Sequence, residues 1–575
     1  MTADALLADQ PLTVEGASRR VVRRLAGVGV ATLASVGLVL RLWALGRQPV
    51  NSDEAVVGLM ARQILHGHTY AFYWGQHYGG VEPYVVAAFF ALFGQSSFTL
   101  GIVPVVLDAV AALLVWRIGR RLFGPEVGVG AALLFWVWPE VYVWQSTLEY
   151  GFRWAALVLC LAALLVALRV VDPRPRPGAL ARSEWLALGV LAGLGWWATP
   201  EVVYYLLPAA VVVLVELVRR RVRARPVDVA LAAAGAVLGA LPWLWDNVPG
   251  FASLHLGVQP DPSVASHGNI LRLHVLPMML GLQLPVSGRF LVGTDAGMAL
   301  EYAAVLAGVV WLVTLVRRRQ ALVLVVFTVA FPFLYALSPV TWYWQDGRYG
   351  VFFAPVAALL ATSGACALAE RLRALPGRRS PADRRAGAAV LAVLAGLGLT
   401  LAAVAQVAPF TPARADPARA TWTTWHADPL AFLLPVARAL EARGARRVYT
   451  GYWLAYTLTF ESKGAVVASD ALPAYVRYAP YLAAVRAAAR PAWLFANPSA
   501  AHAAAVATGL SLVDPGCAAK TDRCLEPGEL EAWLTAHRIA YRVLPLHAFL
   551  AVLVERRFDP APMLAAYHVG PLPRH

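Results

Sequence analysis

Eleven apolar stretches, each close to the length of a membrane span, precede residue 410, and no other feature limits the fold as tightly. A spanning helix needs about 20 predominantly apolar residues, because only a helix or a closed barrel satisfies its own backbone inside lipid. The stretches cover 25–44, 99–116, 127–144, 152–170, 185–199, 201–218, 228–245, 297–316, 320–337, 349–369 and 386–408. They predict a polytopic α-helical membrane protein of about 11 transmembrane helices. A large soluble interior does not account for them. Charged residues make up 14% of the chain, against roughly 25% in soluble domains, and long soluble chains split into domains rather than enlarge one core. The segment "VVAAFFALFG" (85–94) is apolar but short, and is expected to lie on or dip into the outer leaflet.

The net charge of +15 looks like a nucleic-acid signal until the basic residues are placed. Of the 49 Lys and Arg, 25 fall in six clusters: Arg19–Arg24, Arg117–Arg121, Arg169–Arg182, Arg219–Arg225, Arg317–Arg319 and Arg371–Arg385. The loops between them, 44–101, 139–153, 198–201, 247–295 and 338–348, hold six. Cytoplasmic loops carry such an excess, so the basicity reports topology, and nucleic acid is not an expected partner. Residues 1–24 are then a cytoplasmic tail and 25–409 a membrane domain whose first outer loop is 45–98. The first stretch is too long and too weakly terminated for a cleaved signal peptide and reads as a retained anchor. The protein is expected in the plasma membrane as a multi-pass chain, with everything after about 410 outside.

Residues 410–575 have a different texture, with shorter apolar runs and more acids. "DPLAFLLPVARALEARG" (428–444) reads as an amphipathic helix with a glycine stop. "RRVYTG", "GAVVAS", "AWLFAN" and "AYRVLPL" read as strands separated by helical stretches such as Ser499–Thr508, which predicts an extracytoplasmic α/β domain. Cys517 and Cys524 lie seven apart in a polar loop of this domain, where an oxidising compartment favours a local disulfide. Cys160 and Cys366 lie in spans as small apolar fillers.

The polar residues of the membrane domain are one-sided. Its six histidines and most of its acids lie in outer loops, and only Asp108 is clearly mid-span. A transporter would place ionisable groups near the middle of several helices, so the asymmetry favours a surface active site over a conduction path. Asp53 and Glu54 stand directly after the first span, in "NSDEAVVGLMARQILHGHTYAFYWGQHYGGVEPY" (51–84). Asn51 and Glu54 have the spacing of a capping box, which accounts for an acidic pair at a helix start. A carboxylate at such a low-dielectric boundary is also suited to act as a general base, and that role falls to Asp53.

The first span, the Asp-Glu pair opening a helix in a long outer loop, and "DGRYGVFFAP" (346–355) before a late span together resemble the GT-C superfamily of membrane glycosyltransferases. Protein O-mannosyltransferases and aminoarabinose transferases are members. The resemblance covers roughly 25–410 in architecture and only these stretches in motif. It implies a polyprenyl-phosphate sugar as donor, an active site on the outer face, and inverting transfer to an acceptor hydroxyl on a glycan, lipid or protein. Asp53 would be the base with Glu54 beside it. A second acid often stands in the next outer loop, here Glu149 ahead of Glu140, to orient the acceptor, tune Asp53 or bind metal. Arg153 follows Glu149 by four residues, a spacing at which the two can pair on a helix.

Arginine suits a leaving phosphate because its planar fork binds two oxygens at once. Arg348, in the Arg-Tyr element, is the first candidate, followed by Arg153 and Arg272. In the aminoarabinose-transferase branch a Lys-Pro-Pro element after the loop helix supplies a lysine to the donor phosphate. Here "GGVEPY" (79–84) stands in its place, with Glu82 and no lysine. Candidates for substrate contact are therefore Gly79 and Gly80 through main chain, Glu82, His77, Tyr78 and Glu201. Some branches use a divalent metal and others none, so a divalent cation stays open; the spacing of His66 and His68 with Asp53 does not define a site. The loop 247–295 is expected to act as a lid. A lipid flippase or transporter, and a non-catalytic membrane scaffold with an outer binding domain, are the alternative functions.

Overall fold

The computed structural model describes residues 14–45, 50–76, 78–172, 178–219, 224–247, 264–284, 288–338, 341, 344, 347–374, 433–496, 514–516, 522–546 and 549–571. α1 (Val14–Leu45) is followed by two surface helices, α2 (Ser52–Leu65) and α3 (Glu82–Phe93). Then come α4 (Ser97–Phe123), α5 (Pro125–Val137), α6 (Glu140–Gln145), α7 (Arg153–Val170), α8 (Gly178–Ala198), α9 (Val203–Val218), α10 (Pro226–Gly239) and α11 (Leu241–Asn247). α12 (Val264–Ile270) runs through a π turn into α13 (Leu276–Met279), before α14 (Thr294–Leu315), α15 (Leu322–Leu337) and α16 (Ala354–Ala374).

Helices stand at ten of the eleven expected positions, and the eleventh, 386–408, lies outside the described residues. Among the described residues six helices are long and apolar enough to cross a membrane alone, and the bent pair α10–α11 makes a seventh. The chain is a multi-pass membrane protein. Three boundaries differ from expectation. α1 begins at Val14, inside the expected polar tail. The stretch 127–144 breaks after Val137, because Pro139 has no N–H to continue the ladder, and resumes as the short α6. The stretch 228–245 bends by 63° between α10 and α11.

Without water to drive them together, membrane helices associate through close packing of small residues. α8 and α10 each carry a GxxxG pair, Gly189 with Gly193 and Gly235 with Gly239, and these face one another. A Cβ on Gly193 would stand 2.2 Å from Ala236 O, and one on Gly235 2.4 Å from Leu186 O, so backbone meets backbone. One buried ionisable pair escapes the sequence reading. Arg41 of α1 pairs with Asp108 of α4 at 2.5 Å, both fully buried. Arg41 also donates to Gly37 O (3.0 Å), Trp136 O (2.7 Å) and Ser146 Oγ (2.8 Å). Its position four residues from the end of α1 looks the same in sequence as a snorkelling arginine. Acceptors on α4, on α5 and just after α6 hold the guanidinium, so the pair is a staple between helices rather than a step on a path. A second pair, Glu216 with Arg319, joins α9 to the α14–α15 connection.

The C-terminal region is the expected α/β domain. α17 (Leu433–Glu441), α18 (Tyr452–Glu461), α19 (Ala479–Arg486), α20 (Pro527–Ala536) and α21 (Ala561–Ala566) accompany seven strands. β1 (Arg447–Tyr449), β2 (Val467–Ser469), β3 (Ala492–Ala496), β5 (Tyr541–Leu546) and β6 (Phe549–Val554) form one sheet, ordered β2-β1-β3-β6-β5. β1 is parallel to β2 and β3, while β6 is antiparallel to β3 and β5. β4 (Asp522–Arg523) and β7 (Gly570–Pro571) make a separate pair. All four expected strands are present; β6 is additional, its run "FLAVLV" lacking the alternation of a half-exposed strand because both faces are largely covered. The helix expected at 499–508 lies outside the described residues.

This domain is built onto the first outer loop. Val56, Met60, Phe90, Tyr456, Phe460 and Leu494 belong to one buried cluster that runs from α2 and α3 through α18 into the sheet. Gly58 makes the contact possible, since a Cβ there would lie 2.4 Å from the Phe460 ring. Ser52 Oγ donates to Tyr452 O at 2.7 Å. The start of α2 and the C-terminal domain therefore share one side of the membrane domain.

Candidate active site

α2 starts where the sequence expects. Glu54 N donates to Asn51 Oδ1 (3.1 Å) and Asn51 N to Glu54 Oε2 (3.0 Å), a complete capping box. The second oxygen of Glu54 accepts Glu149 N at 3.1 Å, which ties the second outer loop to the first. Glu54 is thus buried and occupied by backbone donors, and burial pushes its carboxyl up to about 8 against those two hydrogen bonds. It holds the site together rather than facing a substrate.

Asp53 turns the other way. Its Oδ1 accepts the Tyr452 hydroxyl at 2.5 Å, and its Oδ2 lies 3.6 Å from Arg348 Nη1. The side chains of Arg348 and Asp53 stay 16% and 15% exposed, the condition a group needs to meet a ligand. Tyr73 Oη donates to Asp53 O at 2.9 Å and fixes the backbone. Arg348 opens a 3₁₀ turn (Arg348–Phe353) after Gly347, whose φ of 68° is left-handed; a Cβ there would also meet Val141 at 2.9 Å. The Arg348 guanidinium lies 4.4 Å from the Tyr150 ring centroid. Arg153 stands nearby, 4.4 Å from the Phe152 ring and 4.9 Å from that of Tyr349, with its Nε 3.8 Å from Glu201 Oε2. Two guanidiniums and two carboxylates thus gather around Tyr150 and Tyr349.

Several expected residues lie elsewhere or do other work. Arg153 does not pair with Glu149: α7 begins at Arg153, so Glu149 is in the loop before it and the i, i+4 geometry never forms. Glu149 is fully buried, with Oε1 accepting Gly151 N (2.9 Å) and its other oxygen directed at Glu82, so it cannot orient an acceptor directly. Glu82, expected at the substrate, is also fully buried and accepts Ala155 N at 3.0 Å. Gly79 donates its N–H to Ala198 O (2.8 Å), and a Cβ on Gly80 would stand 2.0 Å from Ala71 O, so packing alone accounts for both glycines. Tyr78 packs against Phe152, with ring centroids 4.8 Å apart. Arg272 donates to Tyr302 Oη at 3.5 Å on an exposed face and touches none of the Asp53 group among the described residues. His77 and Cys517 lie outside the described residues; Cys524 is disulfide-bonded, while Cys160 and Cys366 are free. Residues 264–279 of the expected lid are helical and pack on α15, with His267 buried and its Nδ1 3.3 Å from Ala336 O. Among the described residues no three His, Cys, Asp or Glu side chains gather as metal ligands, and His66 Nδ1 instead faces Arg62 O at 2.7 Å.

The sequence reading missed the contribution of the C-terminal domain. Tyr452 reaches Asp53 across 399 positions, and its hydroxyl also accepts from Arg477 Nε at 3.2 Å. Burial keeps the Tyr452 phenol well above its ordinary range, so it donates to the carboxylate. Tyr452 lies in "GYWLAYTLTFESKG" (451–464), where no local pattern separates a tyrosine aimed at a carboxylate from one in a core.

Glu149 and Glu82 yield a test of their own. Burial is the first cause raising both, and the two carboxyls face each other, so one proton shared between them is the expected state. A carboxyl raised in the folded state gives stability that is complete below its usual value of 4.5 and is lost as pH rises through the folded one. Thermal unfolding of the wild type in detergent should therefore fall by roughly 3–5 °C between about pH 5 and pH 9. Glu149→Gln keeps the acceptor for Gly151 and a donor toward Glu82, and should flatten most of that slope, the remainder belonging to Glu54. Equal slopes would remove the shared proton.

These elements define a class. The fold is similar to that of solved GT-C membrane glycosyltransferases. Residues 80–245 match the family described as dolichyl-phosphate-mannose-protein mannosyltransferase. The chain is similar in fold to ArnT from Cupriavidus metallidurans in two states. Bound to undecaprenyl phosphate, ArnT is 15% identical, with 91% of this chain and 97% of that one covered and a TM-score of 0.53. In the apo state it is 14% identical, with 92% and 98% covered and a TM-score of 0.55. The oligosaccharyltransferase AglB from Archaeoglobus fulgidus is more distant, at 14% identity, 81% and 69% coverage and a TM-score of 0.47. No curated protein matches the chain.

Proposed function

We propose that the protein is an inverting glycosyltransferase that moves a sugar from a polyprenyl-phosphate donor to an acceptor hydroxyl on the outer face of the cell membrane. The observation that carries this reading is Asp53 beside Arg348, a partly exposed carboxylate 3.6 Å from a partly exposed guanidinium, contributed by the first outer loop and a late helix. The pair supplies the two charges the reaction needs. Asp53 takes the proton of the acceptor hydroxyl, and the oxygen attacks the anomeric carbon. The bond from that carbon to the phosphate oxygen breaks from the opposite side, and the lipid phosphate leaves with the electron pair, held by Arg348 with Arg153 behind it. The bound undecaprenyl phosphate of ArnT supports a lipid phosphate as leaving group. Nucleotide sugars are not supplied outside the cytoplasm, so a donor there must arrive on a lipid. In this reading the N-terminus is cytoplasmic and the C-terminal domain extracytoplasmic.

The buried Arg41–Asp108 pair is what a transporter reading would call for, but both groups are closed to solvent and the guanidinium is held by neighbouring helices. The test is transfer itself. Purified protein with radiolabelled polyprenyl-phosphate sugars should pass label to acceptor with inversion and ignore nucleotide sugars. Label that only crosses the bilayer would favour a flippase, and no turnover with any lipid-linked sugar would favour a scaffold.

Tyr452 is a positioning residue in this scheme, since it touches the base and not the lipid. Tyr452→Phe should lower kcat about 10-fold while leaving the donor KM unchanged, because one hydrogen bond to a charged group is lost. A rise in donor KM at constant kcat would place the phenol on the lipid instead.

A further inference from the structure

The opposite end of the membrane domain carries a polar feature that the proposed reaction does not use. α4 starts at the C-terminal domain, where Ser97 Oγ donates to Glu461 Oε1 at 2.6 Å. Its 27 residues carry it about 40 Å away, to Phe123. There a cavity of about 580 Å³ is lined by Trp116, Arg117, Arg120 and Arg121 of α4, Leu165 and Arg169 of α7, and Asp172. Arg121 is committed to the protein, donating to Leu168 O at 3.0 Å and to Asp172 Oδ2 at 2.5 Å. Arg117, Arg120 and Arg169 make no hydrogen bond or ion pair among the described residues. The guanidiniums of Arg117 and Arg120 lie 5.2 and 5.8 Å from one ring, that of Trp116, rather than splaying apart. Four guanidiniums against one carboxylate leave this single cavity with a net charge of +3.

The approach to the cavity is apolar. Val106, Val110 and Leu113 are 40%, 37% and 60% exposed, in the part of α4 that spans the membrane. With Arg117 and Arg120 they follow steps of four, three, four and three, so all five lie on one face of the helix. A lipid-facing apolar stripe thus leads into a basic cavity at headgroup depth. Arginines that merely set topology need no shared cavity and no convergence from two helices.

We propose that this cavity binds the phosphate headgroup of an anionic phospholipid in the leaflet away from Asp53, with an acyl chain along Val106, Val110 and Leu113. A soluble phosphate would meet the same arginines but make no use of the stripe. The site lies outside the reaction centre and would tie the membrane domain to lipids of one charge class.

Full-length protein in a neutral detergent, given phosphatidylglycerol, phosphatidylcholine or inorganic phosphate, tests this by native mass spectrometry and thermal unfolding. One phosphatidylglycerol should be retained and should stabilise the protein, with phosphatidylcholine and inorganic phosphate doing neither. Arg120→Ala should cut retention about 5-fold, and combined Arg117→Ala, Arg120→Ala and Arg169→Ala roughly 100-fold. Equal retention of both lipids, stabilisation by inorganic phosphate alone, or full retention by the triple variant would overturn the proposal. Should the triple variant fail to fold, Arg120→Ala, changed on an exposed face, decides alone.

Discussion

Asp53→Asn should reduce sugar transfer roughly 1000-fold while leaving the protein folded. The amide oxygen can still accept from Tyr452, and the capping box of α2 uses Asn51 and Glu54 rather than Asp53, so the local structure has no reason to change. What is lost is the group that takes the acceptor proton. Thermal unfolding of the variant within about 2 °C of wild type, together with unchanged donor binding, would assign the loss to chemistry. Transfer at wild-type rates would remove Asp53 as the base and with it the mechanism.

Arg348→Ala should cost roughly 100-fold in kcat, the usual effect of removing a donor from a developing anion. Arg348→Lys should recover part of it, because a lysine supplies charge without the two-pronged fork. Stability should change by no more than about 1 kcal/mol, since a partly exposed ion pair at 3.6 Å contributes little to folding. The separation of outcomes is in the kinetics. A guanidinium that holds the leaving phosphate in the transition state lowers kcat when removed, whereas one that merely gathers donor raises KM. An unchanged kcat with Arg348→Ala would move the phosphate to Arg153.

The membrane helices were legible because hydropathy works one segment at a time: a span announces itself by its length and by the arginines that flank it. The capping box was legible for the same reason, since Asn51 and Glu54 are three residues apart. The Asp53–Arg348 neighbourhood was reachable only through motif resemblance, because the two stand far apart in the chain. Tyr452 and Arg477 were beyond reach, their role being set by the docking of one domain on another. Glu149 and Glu82 misled because an acid in an outer loop reads as exposed, while both turn inward and are fully buried. Arg41 misled in the reverse sense, as a terminal arginine that in fact points into the bundle to meet Asp108.

The buried cluster common to α2, α3 and α18 has a practical consequence for anyone exchanging parts of this protein with a relative. Residues 433–571 cannot be trimmed away as a soluble appendage, because deletion would strip the apolar underside of α2 and leave Asp53 on an unsupported helix. Grafts intended to change acceptor preference should therefore carry residues 50–93 and the C-terminal domain as a single cassette, with the seam inside the membrane helices.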